Sequence, residues 1–420
     1  MIDTLLSAAS GQVSKAADAY RELTSYPKPI CRVVVDGNDI TSAVVDRLVG
    51  LDLDDNRGLV SDQLQITLSD HDGKLAIPRR GAVIRLWLGW SDTGLVDKGT
   101  YTVDETEHSG APDILNIRAR GADLRAGFKV KRERSWHGQS IRDIVQAIAS
   151  TYGLGAVVGA AFQMLKIDHL DQANESDANV LTRLGIEHDA IATVKAGKLL
   201  FMAVGGSTSA SGLALPYVNL TRTDGDQHRF LQADRDSYTG VRAFYYEVNS
   251  AAKKEAVAGA GEALKDLRHV YSDRRSALNA ARAEFRRLQR GSATLSYTLA
   301  KGRPDLIPEL SYVLSGIKEQ ITEIVWLGGN VKHSFTTEAF TTSLELESKL
   351  PEEEDVTDLA DSTVKYTGIA AMYRDEKTGK EKKITLGDQA QPRRLPHLYA
   401  SHASAKRAVQ REFKRLNAAA

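Results

Sequence analysis

The side chains able to do chemistry fall into a few short clusters. Asp70-His71-Asp72, Asp168-His169 and Glu187-His188-Asp189 each set a histidine beside carboxylates. Each cluster offers metal-ligand types, but adjacent residues on a strand or helix point different ways, and no His-x-x-x-His spacing supports them. A surface turn or a solvated helix end accounts for all three. Asp224-Gly225-Asp226 starts like a calcium loop but lacks its later acidic positions and closing glutamate, so a tight turn is expected. Glu105 and Glu107 share one face of a predicted strand, whereas glycosidase carboxylates normally face each other across a cleft from different strands. Lys198 and Lys380 follow glycines without the upstream glycine and following Ser or Thr of a phosphate cradle. No Gly-x-Ser-x-Gly elbow occurs. The expectation is no catalytic residue, no cofactor and no metal.

Composition narrows the classes further. The 420 residues carry 55 Lys+Arg and 55 Asp+Glu, so the net charge is zero. A protein that grips nucleic acid by its phosphates normally shows a basic excess. The single cysteine, Cys31, excludes an intrachain disulfide framework and a zinc site built from several thiolates. The longest near-apolar run, Gly153–Leu165, is short of the roughly 20 residues that cross a bilayer, and no signal-like leader opens the chain. A soluble chain made in the cytoplasm, with no membrane partner, is expected.

The elements that would position any site come in blocks. Residues 1–26 place Leu5, Leu6, Ala9, Val13, Ala16, Ala17, Tyr20 and Leu23 at helical intervals, ended by Pro27 and Pro29. Residues 27–125 change to period two, with Val33 and Val35, Leu64, Ile66 and Leu68, and Leu115, Ile117 and Ala119 alternating with other residues. Gly-containing turns separate these runs, which predicts an antiparallel sheet, sandwich or barrel. Residues 126–212 are mixed. Ser140 or Gln139 caps a helix burying Ile141, Ile144, Val145, Ile148 and Tyr152, and Glu175–His188 is a second helix with Val180, Leu181, Leu184 and Ile186 inward. This is a small α/β insert ending in the Gly/Ser/Thr-rich connector Gly205–Gly212. Residues 213–350 return to strands, at Tyr238–Val248, Thr294–Leu299, Ile321–Leu327 and Phe340–Leu346, around a helix at Arg274–Leu288. The acidic stretch 351–365 reads as a linker.

Residues 238–288 recur at 366–416 without a gap, at a constant offset of 366 − 238 = 128. Tyr238-Thr239-Gly240 matches Tyr366-Thr367-Gly368, and Gly259 matches Gly387. His269 and Tyr271 match His397 and Tyr399; Glu284, Phe285, Arg287 and Leu288 match Glu412, Phe413, Arg415 and Leu416. Each copy reads as a strand, a polar hairpin, a second strand and an amphipathic helix. The helices would bury Ala277, Ala281, Phe285 and Leu288, or Ala405, Val409, Phe413 and Leu416. Arg282, Arg286, Arg290, Arg411 and Lys414 would lie outside. Recurrence with a whole unit assigns His269 and His397 to packing or a backbone hydrogen bond rather than to chemistry. Trp87, Trp90, Trp136 and Trp326 are expected in core or interface. The fold class is α+β, mainly β.

In order along Ile30–Leu350, Gly99-Thr-Tyr101-Thr-Val103-Asp104, Trp136-His-Gly-Gln-Ser140-Ile-Arg-Asp-Ile144, Asn174-Glu175-Ser176-Asp177, the Tyr238–Leu288 unit and Gly302-Arg303-Pro304-Asp305-Leu306 resemble the late control D family of contractile-tailed phages. Members are baseplate hub proteins related to the amino-terminal part of type VI secretion spike proteins. The resemblance implies two tube-like antiparallel β-barrel domains, matching the strand-rich blocks 27–125 and 213–350. It implies a homotrimer forming a pseudo-sixfold ring in the virion baseplate, with the tail tube protein, the central spike protein and other baseplate proteins as partners. A weaker correspondence links Tyr101–Glu107 and Ile114–Ala119 to Ile321–Leu327 and Phe340–Leu346. The final copy, 366–420, lies beyond the family's usual core. An R-type bacteriocin or type VI-like machine would use the same hub. A peptidoglycan hydrolase lacks a block large enough for a lytic domain, and a transcription regulator lacks both basic charge and a helix-turn-helix.

Overall fold

The computed structural model describes residues 26–121, 126–195, 197–206, 215–232, 238–247, 252–259, 263–351, 366–390 and 392–418. The expected first helix, the linker after Pro351 and most of the Gly205–Gly212 connector lie outside these residues.

The chain opens with β1 (Pro29–Val35), β2 (Asn38–Asp39), the short helix α1 (Thr41–Val45), β3 (Leu48–Asp55), β4 (Gln63–Ser69), β5 (Val83–Trp90), β6 (Gly94–Ser109) and β7 (Ile114–Gly121). Alternation does what period two requires: Val33, Leu51, Leu53, Leu64, Ile66, Leu86, Leu88, Leu115 and Ala119 are buried in one core while their neighbours face out.

A mixed unit follows: a 3-10 turn (Ala126–Lys129), β8 (Lys131–Ser140), α2 (Ile141–Thr151), β9 (Gly155–Val158), α3 (Ala160–Gln163), β10 (Lys166–Ser176), α4 (Asp177–His188), β11 (Ala190–Lys195) and β12 (Lys198–Ala203). Ser140 caps α2 by accepting from Asp143 N at 3.2 Å, while the Asp143 carboxylate accepts from Ser140 N. Ile141, Ile144, Val145, Ile148 and Tyr152 are buried as the spacing predicts, each worth about 1.5–3 kcal/mol for the aliphatics. Ser176 caps α4, whose Val180, Leu181 and Leu184 are inward. Ile186 is not: at 52% exposure it lies off the buried stripe, two positions beyond Leu184.

The second strand-rich block holds β13 (Tyr217–Thr221), β14 (Gly225–Gln232), β15 (Gly240–Glu247), β16 (Ala252–Gly259), β17 (Leu264–Tyr271), α5 (Arg274–Gly291), β18 (Ala293–Leu299), β19 (Ser311–Ser315), α6 (Glu319–Thr322), β20 (Trp326–Phe335) and β21 (Phe340–Ser348). The strand expected over Ile321–Leu327 is corrected here. Its first residues form the single turn α6, which buries Ile321, and the strand proper begins at Trp326. Last come β22 (Gly368–Arg374), β23 (Glu381–Gly387), β24 (Pro392–Tyr399) and α7 (His402–Ala418).

The duplication at offset 128 is a duplication of structure. Each copy is a three-stranded sheet, β16-β15-β17 or β23-β22-β24, with a helix across one face. Each therefore holds a third strand, parallel to the first, that the sequence reading lacked. The recurring glycine has a physical cause. Gly259 and Gly387 sit at φ +91° and +83°, where a Cβ would meet Phe285 or Phe413 at 3.0 or 2.4 Å and the Thr239 or Thr367 carbonyl at 2.6 or 2.9 Å. The copies differ in what covers their helices. On α7, Ala405 and Val409 are buried within the core of the second strand block, while Arg411 and Lys414 are exposed. On α5 the expected outer face is itself covered: Arg290 is 4% exposed, and Arg282 and Arg286 are half-buried, because α4 packs against it.

Candidate functional site at the sheet edges

The two strand blocks have the same wiring. In the first, sheet order is β3-β4-β7-β6-β5-β1; in the second it is β14-β18-β21-β20-β19-β13. Taken in chain order, β1, β3, β4, β5, β6 and β7 correspond one to one with β13, β14, β18, β19, β20 and β21. The block's end strands differ in direction, β1 running antiparallel to β5 but β13 parallel to β19. The weak sequence correspondence thus links β6 with β20 and β7 with β21, with β20 displaced towards its carboxyl end.

A single seam joins the blocks. The outer half of β20 pairs antiparallel with β3, from Val331 opposite Asp55 to Phe335 opposite Leu51. The seam is packed as well as laddered. Phe335 and Phe340 of the second block enter the core of the first, where Phe340 stacks on Trp90 with ring centroids 5.7 Å apart. Trp90 Nε1 donates to the Gly302 carbonyl at 2.7 Å. Gly302 leaves room for this, since a Cβ there would sit 2.6 Å from the Phe340 ring.

Charges gather around the same seam. The Lys98 amine, 4% exposed, lies 3.7 Å from Asp55 and donates to the Pro304 carbonyl at 3.2 Å; burial lowers its pKa. Lys195 of the insert reaches Asp55 at 3.0 Å and Asp62 at 2.5 Å. Burial raises the Asp62 pKa, against the pull of Lys195. Arg57 bridges to Glu309 and Glu347 of the second block. His333 is fully buried, and Thr342 Oγ1 lies 2.9 Å from its Nδ1 while accepting from Arg303 N. Burial, with nearby Lys98, pushes the His333 pKa down to about 3, which keeps the ring neutral.

Repetition of this wiring leaves two edges without their counterpart. β6 corresponds to β20, yet beyond Val103 its outer edge pairs with no described strand, and residues Asp104–Ser109 are mostly exposed. β14 corresponds to β3, yet among the described residues it pairs only with β18. Thus β20 and β3 form the seam inside the chain, while among the described residues the far half of one edge of their equivalent β6 and one edge of β14 have no partner strand.

The clusters singled out in the sequence are placed elsewhere and not together. Asp72 is clamped by Arg47 at 2.7 Å, which holds its pKa far below the carboxylate range, and Asp70 accepts from Leu75 N at 3.0 Å. Glu105 and Glu107 face Arg118, at 2.8 and 4.0 Å. Asp224 closes a tight turn by accepting from Thr221 N at 2.7 Å. Lys198 is exposed at the start of β12, and Lys380 follows a turn at Gly379. The solvated helix end expected at Glu187-His188-Asp189 is corrected: burial lowers the His188 pKa to about 4, and Asp189 takes Arg290 at 2.5 Å and Arg286 at 3.1 Å. His269 is exposed and packs edge-on against Tyr271, whereas His397 is largely buried with its pKa near 4 and its Nδ1 without a hydrogen-bond partner among the described residues. Trp90, Trp136 and Trp326 are buried; Trp87 is half-buried between Arg32 and Arg85. Asp168 stays exposed, and His169 meets His137 across the β8–β10 ribbon. No group of three or more His, Cys, Asp or Glu among the described residues could hold a metal ion. No helix among them is long and apolar enough to cross a membrane.

A model of the phage tail baseplate hub (GPD) family matches residues 50–339, which include the β20–β3 pairing and most of both strand blocks. The chain belongs to that family. The probable baseplate hub protein of Escherichia phage 186 is 42% identical over 367 residues, covering 78% of this chain and 94% of the relative. Among solved structures, the hub shares its fold with the 43 kDa tail protein of prophage MuSo2 from Shewanella oneidensis. The TM-score there is 0.58 at 13% identity, over 75% of this chain and 97% of that one. A chain of a Francisella PdpA-VgrG complex, at TM-score 0.50 and 8% identity, covers 82% of this chain and 55% of that chain. The family places the hub in the tail baseplate.

Proposed function

We propose that three copies of the chain close into a ring by pairing the β14 edge of one copy with the Asp104–Ser109 edge of β6 in the next, antiparallel, on the pattern of the internal β20–β3 seam. One observation carries this reading: the wiring occurs twice, is satisfied once inside the chain, and among the described residues leaves one complementary pair of edges without a partner strand. Such a contact is head-to-tail, so it must close as a ring or run on as a filament. Three copies give six sheet blocks, which suits a sixfold tail tube on one face while the threefold chain symmetry suits a central spike on the other. Thr106 and His108 share one face of β6, and His228 and Phe230 share one face of β14; matching these faces sets exposed Arg229 opposite Glu105 or Glu107.

On this reading the chain transmits load and passage and performs no bond chemistry, and it is made in the host cytoplasm before assembly. Its working units are residues 27–125 and 213–350 as ring blocks, with 126–212 and 366–420 docked on them. Light scattering of the purified chain is expected to return three times 45.8 kDa. A stable monomer at micromolar concentration, with no association with tube or spike proteins, overturns the proposal.

A further inference from the structure

The exposed face of the β8–β10 ribbon carries a polar arrangement outside the edges proposed for ring closure. His137 and His169 are directly opposite each other across the two strands. Their rings are tilted by 32° with centroids 4.6 Å apart, and their Nδ1 atoms approach to 3.0 Å. On its far side, His169 Nε2 lies 2.8 Å from an Asp171 carboxylate oxygen, and Ser135 Oγ donates to that carboxylate at 2.7 Å. The opposite face of the ribbon is fixed by buried Trp136 and Leu170. The alternation of a strand therefore leaves Ser135, His137, His169 and Asp171 together in solvent.

We propose that His137 and His169 bind one divalent first-row transition-metal ion of the Zn2+ type, with Asp171 as the residue that positions His169. The carboxylate fixes the tautomer: His169 Nε2–H donates to Asp171, which turns the Nδ1 lone pair towards His137. Zinc–nitrogen bonds of about 2.0–2.1 Å put two cis ligands about 2.9 Å apart at a right angle and about 3.3 Å apart in a tetrahedron. The observed 3.0 Å lies in that interval. With no metal, one Nδ1 must donate a proton to the other. On binding, the His137 proton resides on Nε2 instead, so both Nδ1 lone pairs converge on the ion and no net proton is released from neutral rings. Water completes the coordination on the open face. Two imidazoles favour Zn2+, Ni2+ or Cu2+ and offer nothing to Mg2+ or Ca2+, which take oxygen ligands.

The test is calorimetric titration of the full chain with Zn2+ at pH 7.5, repeated with Mg2+. One Zn2+ per chain is expected, with no heat from Mg2+. His137→Gln with His169→Gln should abolish the site, and Asp171→Asn should weaken it about tenfold with an unchanged far-ultraviolet spectrum; Asp171→Glu should restore part of the affinity. No Zn2+ binding by the native chain overturns the proposal. So does binding that survives the double histidine change, since eight other histidines would then be responsible. An Asp171→Asn chain with native affinity overturns the positioning role. The outcome does not depend on ring formation, because all the groups belong to one ribbon of one chain.

Discussion

Asp189→Asn is the sharpest probe of how the insert is locked to the rest of the hub. Asp189 ends α4 in the left-handed conformation, φ 49°, which asparagine tolerates well. Its two oxygens accept from Arg290 at 2.7 and 2.5 Å, and one also accepts from Arg286 at 3.1 Å. Arg290 is 4% exposed at the end of α5, so the change leaves a buried guanidinium short of its main counter-charge. Removing one partner of a buried pair costs about 3–5 kcal/mol. Glu347 at 3.4 Å from Arg290 Nε offers partial compensation, which argues for the lower end, about 3 kcal/mol. At 1.4 kcal/mol per tenfold, this is about a hundredfold faster exchange of amide hydrogens over α4 and α5, read by mass spectrometry. Adding Arg290→Met removes the orphaned charge and should recover much of the loss. Exchange within threefold of native in Asp189→Asn, or no recovery in the double variant, would refute the account of this contact.

Acid should loosen the fold before carboxylate titration begins. The buried ring of His333 and the half-buried rings of His188 and His397 have pKa values near 3, 4 and 4 against an ordinary 6.5, so the unfolded chain binds more protons below pH 6.5. Stability is complete above 6.5 and falls towards pH 4, by about 2 kcal/mol per ring at pH 5, with raised Asp62 and Glu187 working the other way. Urea melts at pH 7.5 and 5 that coincide would contradict this. Gly259→Ala and Gly387→Ala each force a Cβ into a positive-φ site against a phenylalanine, and about 2 kcal/mol or more should be lost in either copy by urea denaturation. Gly302→Ala should displace Phe340 from the first block's core at about 1–3 kcal/mol, read as faster amide exchange in β3 and β20 together; exchange confined to one strand argues against a shared seam. Arg229→Glu should weaken ring closure about tenfold per contact in sedimentation equilibrium, and Glu105→Arg with Glu107→Arg should restore it. A trimer indifferent to both changes would remove β14 from the interface.

What was legible beforehand was local. Period two located the strands of the first block because one face of each is buried, and the Ser140 cap with its aliphatic stripe located α2. The repeat was legible because the same glycine, threonine carbonyl and phenylalanine must meet in both copies. The shared wiring of the two strand blocks was not. Their strands obey only a polar–apolar alternation that many residues satisfy, and β15–β17 with α5 interrupt the second block between β14 and β18. Arg290 read as an outer residue because helical periodicity reports the helix's own apolar face and says nothing of a second element arriving on the other side. The His137–His169 pair depends on strand register across a ribbon whose halves flank α2, which neither histidine's neighbours encode.

The seam explains why so many unusual side chains crowd one place. A sheet ladder alone resists sliding of one strand along another but opens readily from an end, because its bonds break one at a time. Phe335 and Phe340 anchored in the neighbouring core oppose that opening by a different force, since peeling β20 from β3 would expose two buried rings. Polar contacts add a third constraint: separating the blocks would take the Lys98 amine, 4% exposed, from the Pro304 carbonyl and Arg57 from Glu309 and Glu347. Ladder, aromatic plug and paired charges thus fail under different loads. The free β6 edge has the ladder potential alone, with exposed Glu105, Glu107 and His108 in place of a plug. In the proposed ring a contact made there would be reversible until closure, whereas the internal seam is set when the chain folds. The proposed ring would thus close through weak, equivalent joints between strongly braced units, and a head-to-tail joint of that kind gains its stability from closure.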